Sequence, residues 1–273
     1  MAGDGDPKEI LKEAQEYYDA SHLEEALECV RPLLSRQGRL NHADRIDMLR
    51  LIGRCSLELG DYERARQAFD TAARIAADLD RFDLAIAQFN LCRFDEAEMV
   101  LETLPVYPEI EAEVCWYRGL LAERRGDFDL ADSLFRRAAR LEPKNFTPPQ
   151  HLEDDTLRDL FSAVVEDLPA EIRDVAVEVP LTVEELPSDA LIEGPEVRVH
   201  PLALGMYLAP PTNRRSAFSP DIQADRIVLF RRNIMKFFGD REELLHQMRH
   251  TFIIEIGHHR LGLTEEELEE RGF

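Results

Sequence analysis

Positive charge is scarce in this sequence. Among its 273 residues, 33 are Lys or Arg and 55 are Asp or Glu, which gives a formal net charge of −22. A nucleic-acid binder needs clustered cations to meet phosphates, and attraction to anionic lipid needs them as well. We therefore expect neither nucleic acid nor a membrane surface as a partner.

Long apolar runs are missing too, and cysteine is rare. No run approaches the roughly 20 residues of a membrane-spanning helix, and the start, MAGDGDPKEI, has neither the cationic nor the apolar part of a secretory signal. The four cysteines all lie in the first half, with spacing that fits neither a zinc knuckle nor a compact disulfide framework: Cys29, Cys55, Cys92 and Cys115. The sequence thus indicates a cytoplasmic protein with reduced, buried thiols.

What is present is ordinary globular composition, with 44% hydrophobic residues and a length typical of about two domains. The first half, from Lys8 to Leu141, has the periodicity of amphipathic helices. A unit recurs within it, marked by alanines at intervals of 39, 32 and 34 residues: Ala26, Ala65, Ala97 and Ala131. Gly60 and Gly126 are predicted to close turns between paired helices, and Phe69 and Phe135 to fill the gap to the next unit.

This pattern resembles the tetratricopeptide repeat, a helix–turn–helix with a period of 34 residues. The resemblance implies an α-solenoid of about four helical hairpins, whose concave groove holds a protein or peptide partner. We assign four residues to this groove, of which three are charged and one is aromatic: Arg50, Arg54, Trp116 and Glu123. Dimerisation of the repeats, or packing on the second half of the chain, is the alternative use of this surface.

A different pattern follows the segment from Pro143 to Pro149, which reads as a linker. We predict a repeat domain at 1–145, a linker at 146–155 and an α+β domain at 156–273. The second domain is predicted to contain helices at 156–167 and 241–259 and strands at 175–179, 204–208 and 226–231. Gly262 is expected to end the long helix, and Thr264 to cap a short last one.

The long helix contains a motif that resembles H-E-x-x-H of zinc metalloproteases, in Ile254-Glu-Ile-Gly-His258-His259. In that motif two histidines one turn apart bind zinc, and the glutamate is the general base toward zinc-bound water. The wider pattern resembles the minimal zincin-like metallopeptidase family of bacteria over roughly residues 155–273. It includes Leu204-Gly-Met-Tyr207, Arg226-Ile-Val-Leu-Phe-Arg231 and the helix itself. The resemblance implies a compact zincin core, one zinc ion, and a cleft beside a substrate-binding edge strand.

The sequence departs from the family at the first zinc ligand. Ile254 occupies the position of the first histidine, and a hydrocarbon side chain has no lone pair to donate. One extra residue also separates His258 from Gly262, so that two registers compete. In the first, Glu255 is the base and His258 the remaining ligand. In the second, Glu255, His259 and Glu265 would hold the metal, and Ile256 would stand where the base belongs.

Either register removes one essential part, so zinc is expected to bind weakly or not at all. We interpret the protein as an interaction scaffold whose zincin-like domain is degenerate and does not hydrolyse peptides. The alternative is a zinc-dependent metallopeptidase with an atypical ligand set, acting on protein substrates that the repeats recruit.

Overall fold

The fold is described from a computed structural model covering residues 6–35, 38, 40–74, 78–105, 107–192, 199–208, 225–237, 239 and 241–271. The side chains of five helical residues, 78, 79, 265, 266 and 269, lie outside this description. The chain divides into two compact units after Leu134. The division falls within a helix, and the two units are described separately.

Helices and the turns that connect them make up the described part of the first unit. Its helices are α1 (Pro7–Asp19), α2 (Leu23–Leu34), α3 (His42–Glu58), α4 (Tyr62–Ala73), α5 (Asp78–Asn90), α6 (Phe94–Thr103), α7 (Glu111–Arg124) and the first half of α8 (Phe128–Leu141). From α1 to α7, each helix packs against the next along the chain. The predicted solenoid of helical hairpins is confirmed.

The residues that mark the repeats explain this packing. Gly53 on α3 lets Phe69 of α4 approach, because a Cβ atom at Gly53 would lie 2.5 Å from the Phe69 ring. Phe69 also contacts Leu84 and Ala87 of the next repeat, as its position predicts. Gly60 has a φ of +75° and Gly126 a φ of +76°, a conformation that favours glycine, so both close turns as expected.

The second unit has the α+β organisation that the sequence predicts. After the rest of α8 come α9 (Asp154–Glu166), α10 (Ala170–Glu178), β1 (Leu181–Glu184), α11 (Asp189–Ile192), β2 (Gly205–Leu208), β3 (Arg226–Phe230), α12 (Arg231–Phe237), α13 (Arg241–His259) and α14 (Glu265–Glu270). The described strands form one sheet in the order β1-β3-β2. β1 runs parallel to β3, and β2 runs antiparallel to it.

One predicted strand is wrong. Residues 175–179 alternate valine with other residues, but they fall in and just after α10. The helix buries Ile172 and Ala176, which are one turn apart, and leaves Val177 70% exposed. The segment is therefore helical because it can begin a helix after Pro169 and bury one residue per turn, and the local alternation of valines does not determine its structure. The strand that the sheet uses instead is β1, which is not among the predicted strands.

Candidate functional site

Helix α13 presents an apolar face to the core of the second unit and a polar edge to the sheet. Buried residues recur along it at helical spacing: Leu244, Met248, Phe252, Ile253, Ile256 and Gly257. Between them, Ile254, Glu255 and His258 are half-buried, whereas His259 is exposed. The helix begins and ends at the residues that the sequence predicts.

Strand β2 lies close to α13 because of Gly205. A Cβ atom at this position would lie 2.7 Å from the Val228 carbonyl oxygen and 3.0 Å from Cζ of Phe252. A larger residue would therefore push β2 away from both β3 and α13. The glycine sets the distance across which side chains of α13 reach the main chain of β2.

Glu255 uses this short distance. Its Oε2 accepts a hydrogen bond from the Tyr207 main-chain N–H at 3.2 Å and lies 4.0 Å from Nε2 of His259. Burial raises the pKa of Glu255, while the Tyr207 N–H and the nearby His259 and His258 act in the lowering direction. The carboxylate thus has one main-chain donor and one imidazole beside it.

Tyr207 is linked to the end of α13 a second time, through its hydroxyl. The ring is 2% exposed, and the hydroxyl donates to Oδ2 of Asp225 at 2.6 Å. The same oxygen lies 3.7 Å from Nη1 of Arg260, one residue after α13. Burial and the Asp225 carboxylate raise the pKa of Tyr207 to about 12, so the hydroxyl keeps its proton and remains a donor.

The turn after α13 follows the prediction. Gly262 has a φ of +67°, and the N–H of Leu263 donates to the Gly257 carbonyl at 3.0 Å. Thr264 Oγ1 accepts from the N–H of Glu267, whose carboxylate accepts from the N–H of Thr264, which forms a capping box. α14 then returns onto α13, since a Cβ atom at Gly257 would lie 2.8 Å from Leu268.

The described side chains of this region do not by themselves complete a zinc site. Among the side chains that the structure describes, no three of His, Cys, Asp or Glu are placed to hold one metal ion. Glu255 and His259 are close enough to share an ion, but Ile254 supplies no third donor, and protein zinc sites have at least three protein ligands. The Glu265 side chain, the third ligand of the second register, lies outside the described residues.

The predicted groove residues lie in three different environments. Arg50 and Arg54 line one cleft of the first unit together with Lys8 and Lys12 of α1. Trp116 is half-buried on α7. Glu123 is 3% exposed and therefore lies in the interior of the unit.

Two acidic residues of α5, which are not among the predicted groove residues, lie beside these arginines. Asp80, 1% exposed, accepts from Nε and Nη2 of Arg50 at 2.7 and 3.1 Å. Asp83 is half-buried, and its pKa is raised to about 6 by burial, against lowering by Arg54. Residue spacing is the sequence feature that could have predicted this cluster. Arg50 and Arg54 are one turn apart on α3, and Asp80 and Asp83 are three residues apart on α5, the corresponding helix of the next repeat.

No described helix is both long enough and apolar enough to cross a membrane. Comparison with curated proteins gives no match. Among solved structures, one described as "Crystal structure of MamA" is 14% identical with a TM-score of 0.41, covering 60% of this chain and 88% of that chain. Another, "MamA RS-1 ArsTM double mutant", is 17% identical with a TM-score of 0.43, covering 64% and 93%.

Family comparison agrees with the two resemblances found in the sequence. Tetratricopeptide repeats match residues 11–80 and 112–145, and the zincin-like metallopeptidase family matches residues 165–273. The chain thus contains tetratricopeptide repeats in its N-terminal part, followed by a zincin-like metallopeptidase domain.

Proposed function

We propose that this protein is an interaction scaffold in which the repeats bind a protein or peptide and the zincin-like domain does not hydrolyse peptides. One observation carries the proposal. Ile254 occupies the first ligand position, and the neighbouring Glu255 carboxylate is bonded to the Tyr207 N–H. A zinc ion with fewer than three protein ligands binds weakly and produces little hydroxide at neutral pH.

Metal content tests this proposal directly. Wild-type protein, dialysed against zinc and then against metal-free buffer, is expected to retain far less than one zinc per chain by elemental analysis. Ile254→His should retain more zinc, because it restores a nitrogen donor one turn before His258. Ile254→Leu is the matched control, since it changes the side chain without adding a donor. Stoichiometric zinc in the wild type, together with cleavage of unfolded casein, would refute the proposal.

The second candidate function is a metallopeptidase with an atypical ligand set. Its supporting observation is the 4.0 Å distance between Glu255 and His259, which are one helical turn apart. If Glu265 completes this set, Glu265→Ala should lower zinc retention, and His258→Ala should leave it unchanged. The opposite result would favour His258 as a ligand and the first register.

Partner binding by the repeats has its own test. Arg54 lines the cleft on α3. Proteins that bind through its positive charge should therefore co-purify with the wild type and not with Arg54→Glu. Arg31→Glu is the control, because Arg31 is exposed and paired with Glu28 on α2. Partners retained equally by both variants would place binding outside the cleft.

A further inference from the structure

Two histidines of α13 lie outside the zincin-like motif. His246 and His250 are both exposed, and within the part of the chain that the structure describes neither side chain has a hydrogen-bond or ion-pair partner. The helix runs without a break from Arg241 to His259. Residues four apart on a helix are neighbours on its surface, with Cβ atoms about 5–6 Å apart. These two residues, the α13 histidine pair, therefore lie side by side on the solvent face of the helix.

The spacing of this pair is that of a metal-binding helix. In H-E-x-x-H, two histidines four residues apart hold one zinc ion from one face of a helix. The α13 histidine pair has the same spacing and lies eight residues before Ile254 and His258. Eight residues of helix extend about 12 Å, which is too far for metal–nitrogen bonds of about 2 Å to join the pair to His258. An ion bound to the pair would therefore be separate from one at the candidate site around Glu255.

Carboxylates surround the first histidine of the pair. His246 lines a cleft of about 520 Å³ together with Asp167 at the end of α9, Glu242, Glu243 and Arg249. Three carboxylates and one guanidinium give this cleft a net negative charge, which raises the local concentration of cations. Glu242, one helical turn before His246, is exposed. The cleft thus favours a cation next to the imidazole.

We propose that the α13 histidine pair binds a divalent transition-metal ion through its two imidazole nitrogens, and that copper(II) binds most tightly. The described side chains supply no third protein ligand, so water completes the coordination and the ion exchanges readily. Copper(II) leads the first-row divalent ions in affinity for such ligands and accepts a square-planar or tetragonal set of nitrogen and oxygen donors. Zinc, whose protein sites have at least three protein ligands, should bind more weakly. This site does not depend on the proposed function.

Calorimetric titration of the metal-free full chain with copper(II), in a buffer that does not coordinate copper, tests the proposal. The wild type should show a strongest binding step of one copper per chain. His246→Ala and His250→Ala should each weaken this step, and the double variant should lose it. His151→Ala is the matched control, because His151 is also exposed and lies beside Glu153 outside α13. It should bind copper as the wild type does.

A second variant tests the spacing apart from the number of histidines. Gln247→His combined with His250→Ala keeps two histidines but makes them adjacent, and adjacent residues of a helix do not face each other. Positions 246, 247 and 250 are all exposed, so the variant should keep the fold, as circular dichroism can verify. Pulsed electron paramagnetic resonance should detect two imidazoles on copper in the wild type and in His151→Ala, but one in the spacing variant.

Three results would overturn the proposal: no copper binding by the wild type, binding of full strength in the double or the spacing variant, or a single imidazole on copper in the wild type. The double variant also separates this site from the proposed function. Zinc that the wild type retains and the double variant loses belongs to the α13 histidine pair. Zinc that both retain belongs to the candidate site around Glu255 and would count against the proposed function alone.

Discussion

The carboxyl group of Asp83 lies where burial opposes its ionisation. It is half-buried on α5, near Arg54, Arg50 and Asp80. Burial raises its pKa from 3.8 to about 6. Because the folded state holds this proton more tightly than the unfolded state, the free energy of unfolding falls as the pH rises from about 4 to about 6.

Asp83→Asn should therefore stabilise the protein at neutral pH. A shift of about two pKa units corresponds to roughly 1–3 kcal/mol, present above pH 6 and absent below about pH 4. Urea unfolding at pH 3.5 and pH 7.5 measures both ends of this range. A gain of the same size at both pH values would rule out titration of Asp83 as the cause.

Asp80→Asn is the control for this prediction. Asp80 is 1% exposed and holds Arg50 through two hydrogen bonds. Asp80 is buried, but the Arg50 side chain is 31% exposed and remains partly solvated. Breaking the pair should therefore cost about 1–3 kcal/mol, and this variant should be less stable at pH 7.5. The two aspartates, three residues apart on one helix, are expected to respond in opposite directions.

Gly53 permits a second test of single-residue packing. A Cβ atom at this position would lie 2.5 Å from the Phe69 ring, which is fully buried. Gly53→Ala should lower the free energy of unfolding by about 1–3 kcal/mol, the usual cost of overpacking, despite the better helix propensity of alanine. Gly38→Ala, with no atom within 4 Å of the new methyl group, should change it little. Equal effects of the two substitutions would contradict the packing argument.

At the level of helices and strands, local signals predict some features and miss others. α13 was predictable because several local features point to the same helix. Its apolar residues recur at helical spacing along the whole length, and Gly262 and the Thr264 capping box follow directly after its end. The segment 175–179 was not, because its alternation covers only five residues and the buried partners of Ile172 are distant in the chain. β1 has only partly buried residues, so little apolar pattern marks it.

The candidate site, too, could be predicted from the sequence only in part. The motif in α13 and the loss of its first ligand follow from the order of residues alone. The bond from Tyr207 to Glu255 does not, since the two are 48 residues apart. It depends on the register of β2 on β3 and on the close approach at Gly205, which are properties of the folded sheet.

The capping box before α14 permits a prediction about this element. Thr264→Ala removes the acceptor for the Glu267 N–H and should lower the free energy of unfolding by about 1 kcal/mol. Thr251→Ala is the control, since Thr251 lies within α13 and its hydroxyl donates to the Gln247 carbonyl of the same helix. Thermal unfolding of the two variants should rank Thr264→Ala as the less stable. The reverse order would mean that the box contributes little.

For the whole molecule, the sequence pattern and the packing of the chain place the start of the C-terminal domain at different residues. A boundary after residue 145 remains a prediction from the repeat pattern and the proline-rich segment. The division into compact units falls earlier, after Leu134, which assigns the second half of α8 to the second unit. Phe135, a residue of the repeat pattern, is fully buried in the whole chain. Nζ of Lys236, in the second unit, lies 5.4 Å from the centre of its ring.

The segment after α8 is attached to the same part of the second unit. Thr147 Oγ1 donates to the Lys236 carbonyl at 3.2 Å, and the Gln150 N–H donates to the Met235 carbonyl at 3.4 Å. A Cβ atom at Gly239 would lie 2.9 Å from Thr147. Residues 135–150 therefore pack as part of this unit, although they precede the region matched by the zincin-like family.

A fragment of residues 128–273 should consequently be more stable than one of residues 146–273. The shorter fragment loses the whole of α8, and with it the contact between the Phe135 ring and Lys236, so it should unfold at a lower temperature. Thermal unfolding followed by circular dichroism compares the two. Within the longer fragment, Phe135→Ala should reproduce most of the loss, whereas Phe237→Ala, at a residue 37% exposed, should cost much less. Equal stability of the two fragments would show that α8 belongs to the repeats alone and would support the boundary after residue 145.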